Sequence, residues 1–228
     1  MPDTRQSILN RLKAAPSCPV AQRPQMPPFR ERSMDAAQLI ETFVARVAAQ
    51  GGVTECISQS ALFESMAALL AQEGVTRLML TPDSLLEPRQ WIAWGQTNGI
   101  EVMTPSDFPD RTEYTQAVFD RVQAGLTGVD FAVAESGTLV LAHDASQARL
   151  VSLAPLLHIA VVPATRIVPV YESAIEKLYT LTRRPSQVTF ITGPSMTADI
   201  QATPFKGMHG PRKLVVFLLD ACAGHQPS

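Results

Sequence analysis

Alternation of strand-like and helix-like segments is the feature that most constrains the fold of this chain. From residue 35 onward, runs of apolar residues at helical spacing follow short apolar runs bounded by turn residues. The predicted strands lie at 53–57, 77–81 and 101–104, and the predicted helices lie at 35–50, 60–73 and 86–98. Because strands that alternate with helices are joined by crossovers, this order predicts an α/β fold with a mainly parallel sheet flanked by helices.

The pattern is less regular after residue 104. Residues 105–116 are polar and irregular, and the stretch from there to Val122 fits either a helix or a strand. Ala124 to Asp130 is interpreted as a glycine turn. Short strands at 131–134 and 139–141 are predicted to meet at a glycine kink or bulge that carries Glu135. Further along, the sequence predicts strands at 158–163, 188–191 and 214–219, an extended piece at 166–169 and a helix at 171–181.

The first part of the chain differs from the rest in composition. Residues 4–15 predict a short helix with Ile8, Leu9 and Leu12 on one face, and the sequence from Pro16 to Arg32 is rich in proline. We therefore divide the chain into an arm, residues 1–33, and a main domain, residues 34–228. The apolar face of the helix favours docking, for example in a homo-oligomer formed through the arm.

Composition excludes several classes of function. The net charge of −2 gives no positive electrostatic field that would attract nucleic acids in general. The sequence contains no run of about 18 apolar residues, so it predicts no membrane span. The N-terminus lacks the apolar core of a secretory signal, so we expect a cytoplasmic protein. Cys18, Cys56 and Cys222 form no C-x-x-C pair, and no G-x-G-x-x-G follows a strand. We expect this chain to hold no metal, iron–sulfur cluster, flavin or nicotinamide.

The most informative stretch runs from Gln187 to Leu219. After the strand at 188–191, Gly193-Pro194 break the pattern, and Ser195 to Ile200 resemble the opening of a helix with Thr197 and Asp199 in or near its first turn. A strand that passes through a glycine into a helix exposes backbone N–H groups that can hold an anion. The alternative is that helix capping alone explains the serine and the aspartate.

His209 lies between glycine-containing turns in the same stretch. An exposed loop is a poor place for a purely structural histidine, so His209 is a candidate proton acceptor or carboxylate partner.

Three separate motifs, in order, resemble those of the LUD domain (lactate-utilisation domain) in its single-domain form, typified by LutC. They are GLTGVDFAVAESGTLVL at 125–141, HIAVVPATRIVP at 158–169, and TGPSMTADI at 192–200 followed by GMHGP at 207–211. The resemblance covers roughly residues 34–220. Two positions depart from the family pattern: Met196 replaces a polar or basic residue, often Arg, and Gln201 replaces a usual Glu.

The resemblance implies a fold like that of ribose-5-phosphate isomerase and the CoA transferases (NagB/RpiA/CoA transferase-like), with ligand sites at the carboxyl ends of the sheet strands. It also implies a cluster-free subunit that serves the oxidation of L-lactate to pyruvate together with iron–sulfur partner proteins. Two alternatives remain open. One is a free-standing enzyme of this fold acting on a CoA ester, a sugar phosphate or a folate, and the other is a non-catalytic assembly subunit.

Glu135 and His209 are the candidate catalytic residues. CoA transferases of this fold use a glutamate in a similar Glu-x-Gly setting, although Glu135 could equally stiffen the local turn. Arg166 could clamp a carboxylate bidentately, although a structural ion pair is the more common outcome. The candidate binding residues for a small organic acid or other anion are Gly137, Thr138, Arg166, Gly193, Ser195, Thr197, Asp199 and Gly210. We expect the glycine-rich segments and His209 to converge on one cleft at the carboxyl ends of the strands.

Overall fold

The computed structural model of this protein describes residues 4–15, 30–144, 148–181, 185–198, 204–207 and 209–221. The helices are α1 (Thr4–Ala14), α2 (Ala36–Ala49), α3 (Leu62–Gln72), α4 (Pro88–Asn98), α5 (Arg111–Asp120), α6 (Leu150–Leu153) and α7 (Tyr171–Tyr179). The strands are β1 (Val53–Ile57), β2 (Arg77–Leu80), β3 (Glu101–Met103), β4 (Ala124–Gly128), β5 (Phe131–Val133), β6 (Thr138–His143), β7 (Leu157–Pro163), β8 (Ile167–Val168), β9 (Gln187–Ile191), β10 (Met196–Ala198), β11 (Pro204–Lys206) and β12 (Lys213–Leu219).

A six-stranded sheet with the order β1-β12-β7-β4-β2-β3 forms the centre of the molecule. All of its pairs are parallel, which confirms the predicted α/β class and mainly parallel sheet. Helices α3 and α4 cover one face, where Met66, Leu70 and Trp91 pack against strand residues such as Ile159 and Phe217. Alternate residues of the same strands point to the opposite face, as the pleat requires.

A second sheet, with the order β8-β5-β6-β9, covers that opposite face together with α2. Phe43 and Val47 of α2 and Leu139 of β6 pack against the main-sheet residues Val162 and Val216. Helix α7 packs on the outer side of this sheet through a smaller apolar cluster. The sequence predicted these strands individually but not their separation into a second sheet.

The predicted glycine turn at 124–130 is wrong, because residues 124–128 form β4 in the interior of the main sheet. Its glycine is explained by helix α6, which lies directly against the strand. A Cβ atom on Gly125 would overlap the carbonyl oxygen of Val151. The backbone of α6 can therefore approach the backbone of β4 as closely as it does only with glycine at this position.

Three further predictions are corrected. The kink at 135–137 is the turn of an antiparallel hairpin between β5 and β6, with Phe131 opposite Val140. Part of the irregular stretch is helix α5, whose N-terminus is capped by the Asp110 side chain. The predicted helix from Ser195 is wrong, since residues 196–198 form β10, which pairs antiparallel with β11. Without a helix there, the proposed anion site at a helix N-terminus loses its basis.

The predicted N-terminal helix is present as α1, and none of its residues is buried. Ile8 and Leu12 are 54% and 68% exposed. Residues 16–29 lie outside the described part of the chain, so the arm boundary at 33 stays a prediction. In the described ranges, no helix has the length and apolar character needed to cross a membrane.

Candidate functional site

A cleft of about 240 Å³ opens between the second sheet and one end of the main sheet. His158 of β7 and Leu214 of β12 contribute to its wall, and both are the second residues of parallel strands paired in register. The cleft therefore lies at the amino ends of these strands. The expectation that it lies at their carboxyl ends is wrong for this cleft. Its lining residues are Ser152, Leu153, His158, 189–195, 209–211 and Leu214.

The rim of the cleft is formed by two segments, residues 193–195 and 209–211. The backbone N–H of Ser195 donates to the carbonyl of Pro211 at 2.8 Å, and the N–H of Gly207 donates to the carbonyl of Ser195 at 2.8 Å. A Cβ on Gly210 would lie 3.1 Å from the Cβ of Ser195, so the two segments are in close contact. The structure thus brings Gly193, Ser195, His209 and Gly210 together, as the sequence predicted.

Gly193 anchors this rim to helix α2. Its φ of 81° lies in the left-handed region that favours glycine. A Cβ at this position would lie 2.5 Å from the carbonyl oxygen of Gln50, at the end of α2. Gly193 is therefore required both for its backbone conformation and for the close approach to α2.

The sequence predicts a strand at 158–163 but assigns His158 no role in the site. His158 is 1% exposed, and its Nε2 lies 2.9 Å from Thr127 Oγ1. Its Nδ1 has no hydrogen-bond partner among the described residues. Burial lowers the pKa of His158 from 6.5 to about 3, so the ring is neutral near pH 7. The sequence feature that could have identified His158 as a site residue is a titratable side chain at the start of the apolar run HIAVVP.

Hydroxyl groups supply most of the remaining polar character of the cleft. Thr192 shares a 2.8 Å hydrogen bond with Thr138, which in turn bonds Ser136 at 2.7 Å. Thr138 does not line the cleft but fixes the orientation of Thr192, which does. Within the described chain, the Ser195 hydroxyl and the exposed His209 ring make no hydrogen bond, so both are available to a ligand.

Glu135 lies outside the cleft, in the hairpin turn between β5 and β6. Its Oε1 accepts hydrogen bonds from the backbone N–H of Tyr171 at 3.1 Å and from Arg30 Nη2 at 3.0 Å. Arg30 also donates to Glu172 at 2.7 and 3.1 Å. We call Arg30, Glu135 and Glu172 the Arg30 cluster. The hydrogen bond from Arg30 lowers the pKa of Glu172, and the hydrogen bond to Glu172 raises the pKa of Arg30. The catalytic role of Glu135 stays a prediction.

The remaining candidate residues are also dispersed. Arg166 lies at the carboxyl end of the main sheet, where it donates to the Val129 carbonyl at 2.6 Å and to the Ser84 hydroxyl at 3.1 Å and lies 3.6 Å from Asp83. Gly137, with φ of 69°, packs against the backbone of α2. Thr197 lies in β10, and Asp199 lies outside the described residues. Across the described ranges, no group of three or more His, Cys, Asp or Glu side chains could hold a metal ion.

Comparison with known proteins then identifies the family. The LUD domain model matches residues 31–219. This chain belongs to the LUD domain family. It is similar to "Lactate utilization protein C" of Deinococcus radiodurans, with 29% identity over 96% of this chain and 98% of the relative. A relative of the same name from Anoxybacillus flavithermus is 28% identical over 81% of this chain and 71% of that protein.

A solved structure supports the fold of this LUD domain. The crystal structure of a DUF162 family protein from Deinococcus radiodurans matches with a TM-score of 0.60 and 25% identity, and the match covers 82% of this chain and 99% of that one.

The chemistry available in the cleft of this LUD domain is that of neutral polar groups. Among the described lining residues, only the two histidines can carry a positive charge, and none is acidic. Hydroxyl and imidazole groups can orient a small polar ligand by hydrogen bonds.

Proposed function

We propose that this chain is a LutC-type, cluster-free component of L-lactate utilisation. In this proposal L-lactate is oxidised to pyruvate, and iron–sulfur partner proteins in the cytoplasm carry the electrons. The observation that supports it most is the match to a protein named for lactate utilisation over nearly the full length of both chains.

The size of the cleft favours a small acid over the larger alternative substrates. Pockets for drug-sized ligands measure about 300–1,000 Å³, and this cleft measures about 240 Å³. A CoA ester or a folate is larger than that space. A sugar phosphate is held in most sites by Arg or Lys side chains, and the described lining residues include neither. A molecule of the size of lactate fits the volume of the cleft.

Within this proposal His209 acts at the rim of the cleft and accepts a proton from the hydroxy acid or pairs with its carboxylate. Ser195 offers a free hydroxyl beside it, and Gly193 and Gly210 give the rim its shape. Glu135 is retained as the second predicted catalytic residue, although it lies in the Arg30 cluster.

Growth of a deletion strain on L-lactate tests the proposal. We expect His209→Ala to abolish complementation while the purified variant keeps the circular dichroism spectrum and Tm of the wild type, because His209 is exposed. We expect the same of Glu135→Gln, because loss of proton transfer costs about 100-fold or more in rate. Growth with Glu135→Gln would show that Glu135 has no catalytic role and serves only through its hydrogen bonds with Arg30 and Tyr171. Growth with both variants would favour an assembly subunit.

A reconstitution separates a component of a complex from a free-standing enzyme. The purified chain alone should have no absorbance band in the visible range and should not reduce a dye when L-lactate is added. A mixture with the proposed Cys-rich iron–sulfur partner proteins should reduce the dye, and should fail to do so when His209→Ala replaces the wild type. Turnover by the chain alone would contradict the proposal.

A further inference from the structure

We infer that the floor of the cleft is a carboxylate site, in which the Nδ1–H of His158 donates a hydrogen bond to one oxygen of a small monocarboxylate. The choice of L-lactate and pyruvate as members of this class rests on the proposed function. The existence of the site rests on the geometry around His158 alone.

The first observation is an unpartnered polar atom on a buried residue that lines the cleft. His158 lines the cleft and is 1% exposed, and its Nδ1 has no partner among the described residues. A buried donor or acceptor without a partner destabilises a folded protein, so such atoms are rare away from functional sites. A ligand atom in the cleft would supply the missing partner.

The second observation identifies which proton His158 carries. Its Nε2 lies 2.9 Å from Thr127 Oγ1, and Thr127 is buried in β4. Within the described chain, the Thr127 hydroxyl has no other hydrogen-bond partner, so its proton can be satisfied only by donation to Nε2. The neutral imidazole then carries its own proton on Nδ1. The unpartnered Nδ1 is therefore a donor, and it selects an acceptor such as a carboxylate or carbonyl oxygen.

The third observation is that this donor remains neutral and fixed. Burial keeps the ring uncharged near pH 7, and the Thr127 bond fixes its orientation from the neighbouring strand. The rim above it carries the free hydroxyl of Ser195 and the ring of His209. A monocarboxylate can place one oxygen against His158 and its remaining polar groups against the rim. A neutral diol lacks the strong acceptor that the floor requires.

Nitrogen NMR of the histidine rings tests the tautomer directly. In the wild-type chain with selectively labelled histidine, His158 should show a protonated Nδ1 and an unprotonated Nε2 at pH 7.5. Addition of L-lactate or pyruvate should move the Nδ1–H proton resonance downfield. A protonated Nε2 with a bare Nδ1 would overturn the inference, whatever the ligand does.

Two substitutions at position 158 distinguish the roles of the two ring nitrogens in ligand binding. His158→Gln places an amide near the position of Nε2 and keeps a partner for Thr127, but it removes the donor at Nδ1. His158→Asn places an amide near Nδ1 and keeps that donor. We expect His158→Gln to weaken L-lactate and pyruvate binding at least about tenfold, the scale of one lost hydrogen bond. Binding by His158→Asn should remain within a few-fold of the wild type.

Matched controls and outcomes complete the test. Tyr114→Phe removes another buried oxygen without a partner, in a different apolar cluster, and should leave binding unchanged. Propylene glycol should not bind the wild type. Equal binding by His158→Gln and the wild type, or binding of propylene glycol as tight as that of L-lactate, would overturn the inference. Because binding is measured on the purified chain, failure of growth complementation would count against the proposed function and leave the carboxylate site standing.

Discussion

The cleft and the Arg30 cluster use their polar groups in opposite ways. In the Arg30 cluster, one guanidinium donates to both glutamates, and Glu135 also accepts the N–H of Tyr171. In the cleft, His158 Nδ1 and the Ser195 hydroxyl have no partner among the described residues. The charged region is therefore complete without a ligand, whereas the neutral region retains unused hydrogen-bonding capacity. A carboxylate that is conspicuous in the sequence is thus a weaker indication of a site than an unpaired atom on a buried imidazole.

The largest expected effect comes from two glycines that attach these regions to helix α2. Gly193 beside the cleft and Gly137 beside Glu135 both have positive φ, and an added Cβ would lie 2.5 Å from Gln50 O and 2.6 Å from Val47 N respectively. Each Gly→Ala change should lower the free energy of unfolding by about 2–4 kcal/mol, as strain and overpacking add. Urea denaturation measures this loss.

The matched control for both variants is Gly99→Ala. Gly99 has φ of 70° but nothing within 4 Å of an added Cβ, so only the conformational cost of about 1 kcal/mol applies. Among variants that remain folded, Gly193→Ala should weaken L-lactate binding and Gly137→Ala should not. Equal loss of binding by both would mean that the two regions are coupled through α2.

The second effect is a pH dependence of stability that belongs to His158. Its folded-state pKa of about 3 lies below the ordinary histidine value of 6.5, so the unfolded chain takes up the proton first as the pH falls. The stability that the neutral ring contributes is complete above pH 6.5 and is lost progressively toward pH 3. Between pH 7 and pH 5 the wild type should lose about 2 kcal/mol from this group.

Urea denaturation at pH 7 and pH 5 checks this value by difference. His158→Gln keeps the other histidines and cannot titrate, so its stability should fall by about 2 kcal/mol less than that of the wild type over the same interval. Parallel losses in both proteins would show that His158 is protonated in the folded state, which would require a more solvated cleft floor.

The smallest effect is expected in the Arg30 cluster. The Arg30 side chain is 64% exposed, and exposed ion pairs contribute little because water and salt screen them. Arg30→Ala should lower Tm less than either buried glycine variant does, and the difference from the wild type should vanish at high salt. Binding of L-lactate should be unchanged, since none of the three side chains lines the cleft. A loss of L-lactate binding by Arg30→Ala would show that the arm influences ligand binding in the cleft.

Local sequence patterns predicted most elements of the main sheet and its helices but failed where distant segments decide the conformation. The sequence AGLTG of β4 contains two glycines, which count against a strand. The structure requires them because Val151 approaches Gly125, and because a Cβ on Gly128 would lie 2.5 Å from the Asp83 carboxyl carbon. Neither contact is visible within a window of neighbouring residues.

The same limit applies to the candidate site. The rim residues Gly193, Ser195, His209 and Gly210 were predicted because turn residues and a loop histidine are local signals. The turn after Gly193 was misassigned as a helix because Ser195 suits a cap equally well, whereas its backbone instead bonds Pro211 and Gly207. The role of His158 depends on a missing partner, which only the packed structure reveals.

The contact between Gly125 and Val151 has a consequence for engineering. Because α6 rests on β4 main chain to main chain, no side chain lies between the two backbones at this contact. Any side chain added at Gly125 would have to displace α6 or a strand of the main sheet. A designer who wishes to admit a longer acid should therefore vary Thr192 and Ser195, which lie in a loop segment of the wall, and leave Gly125 and Gly193 unchanged.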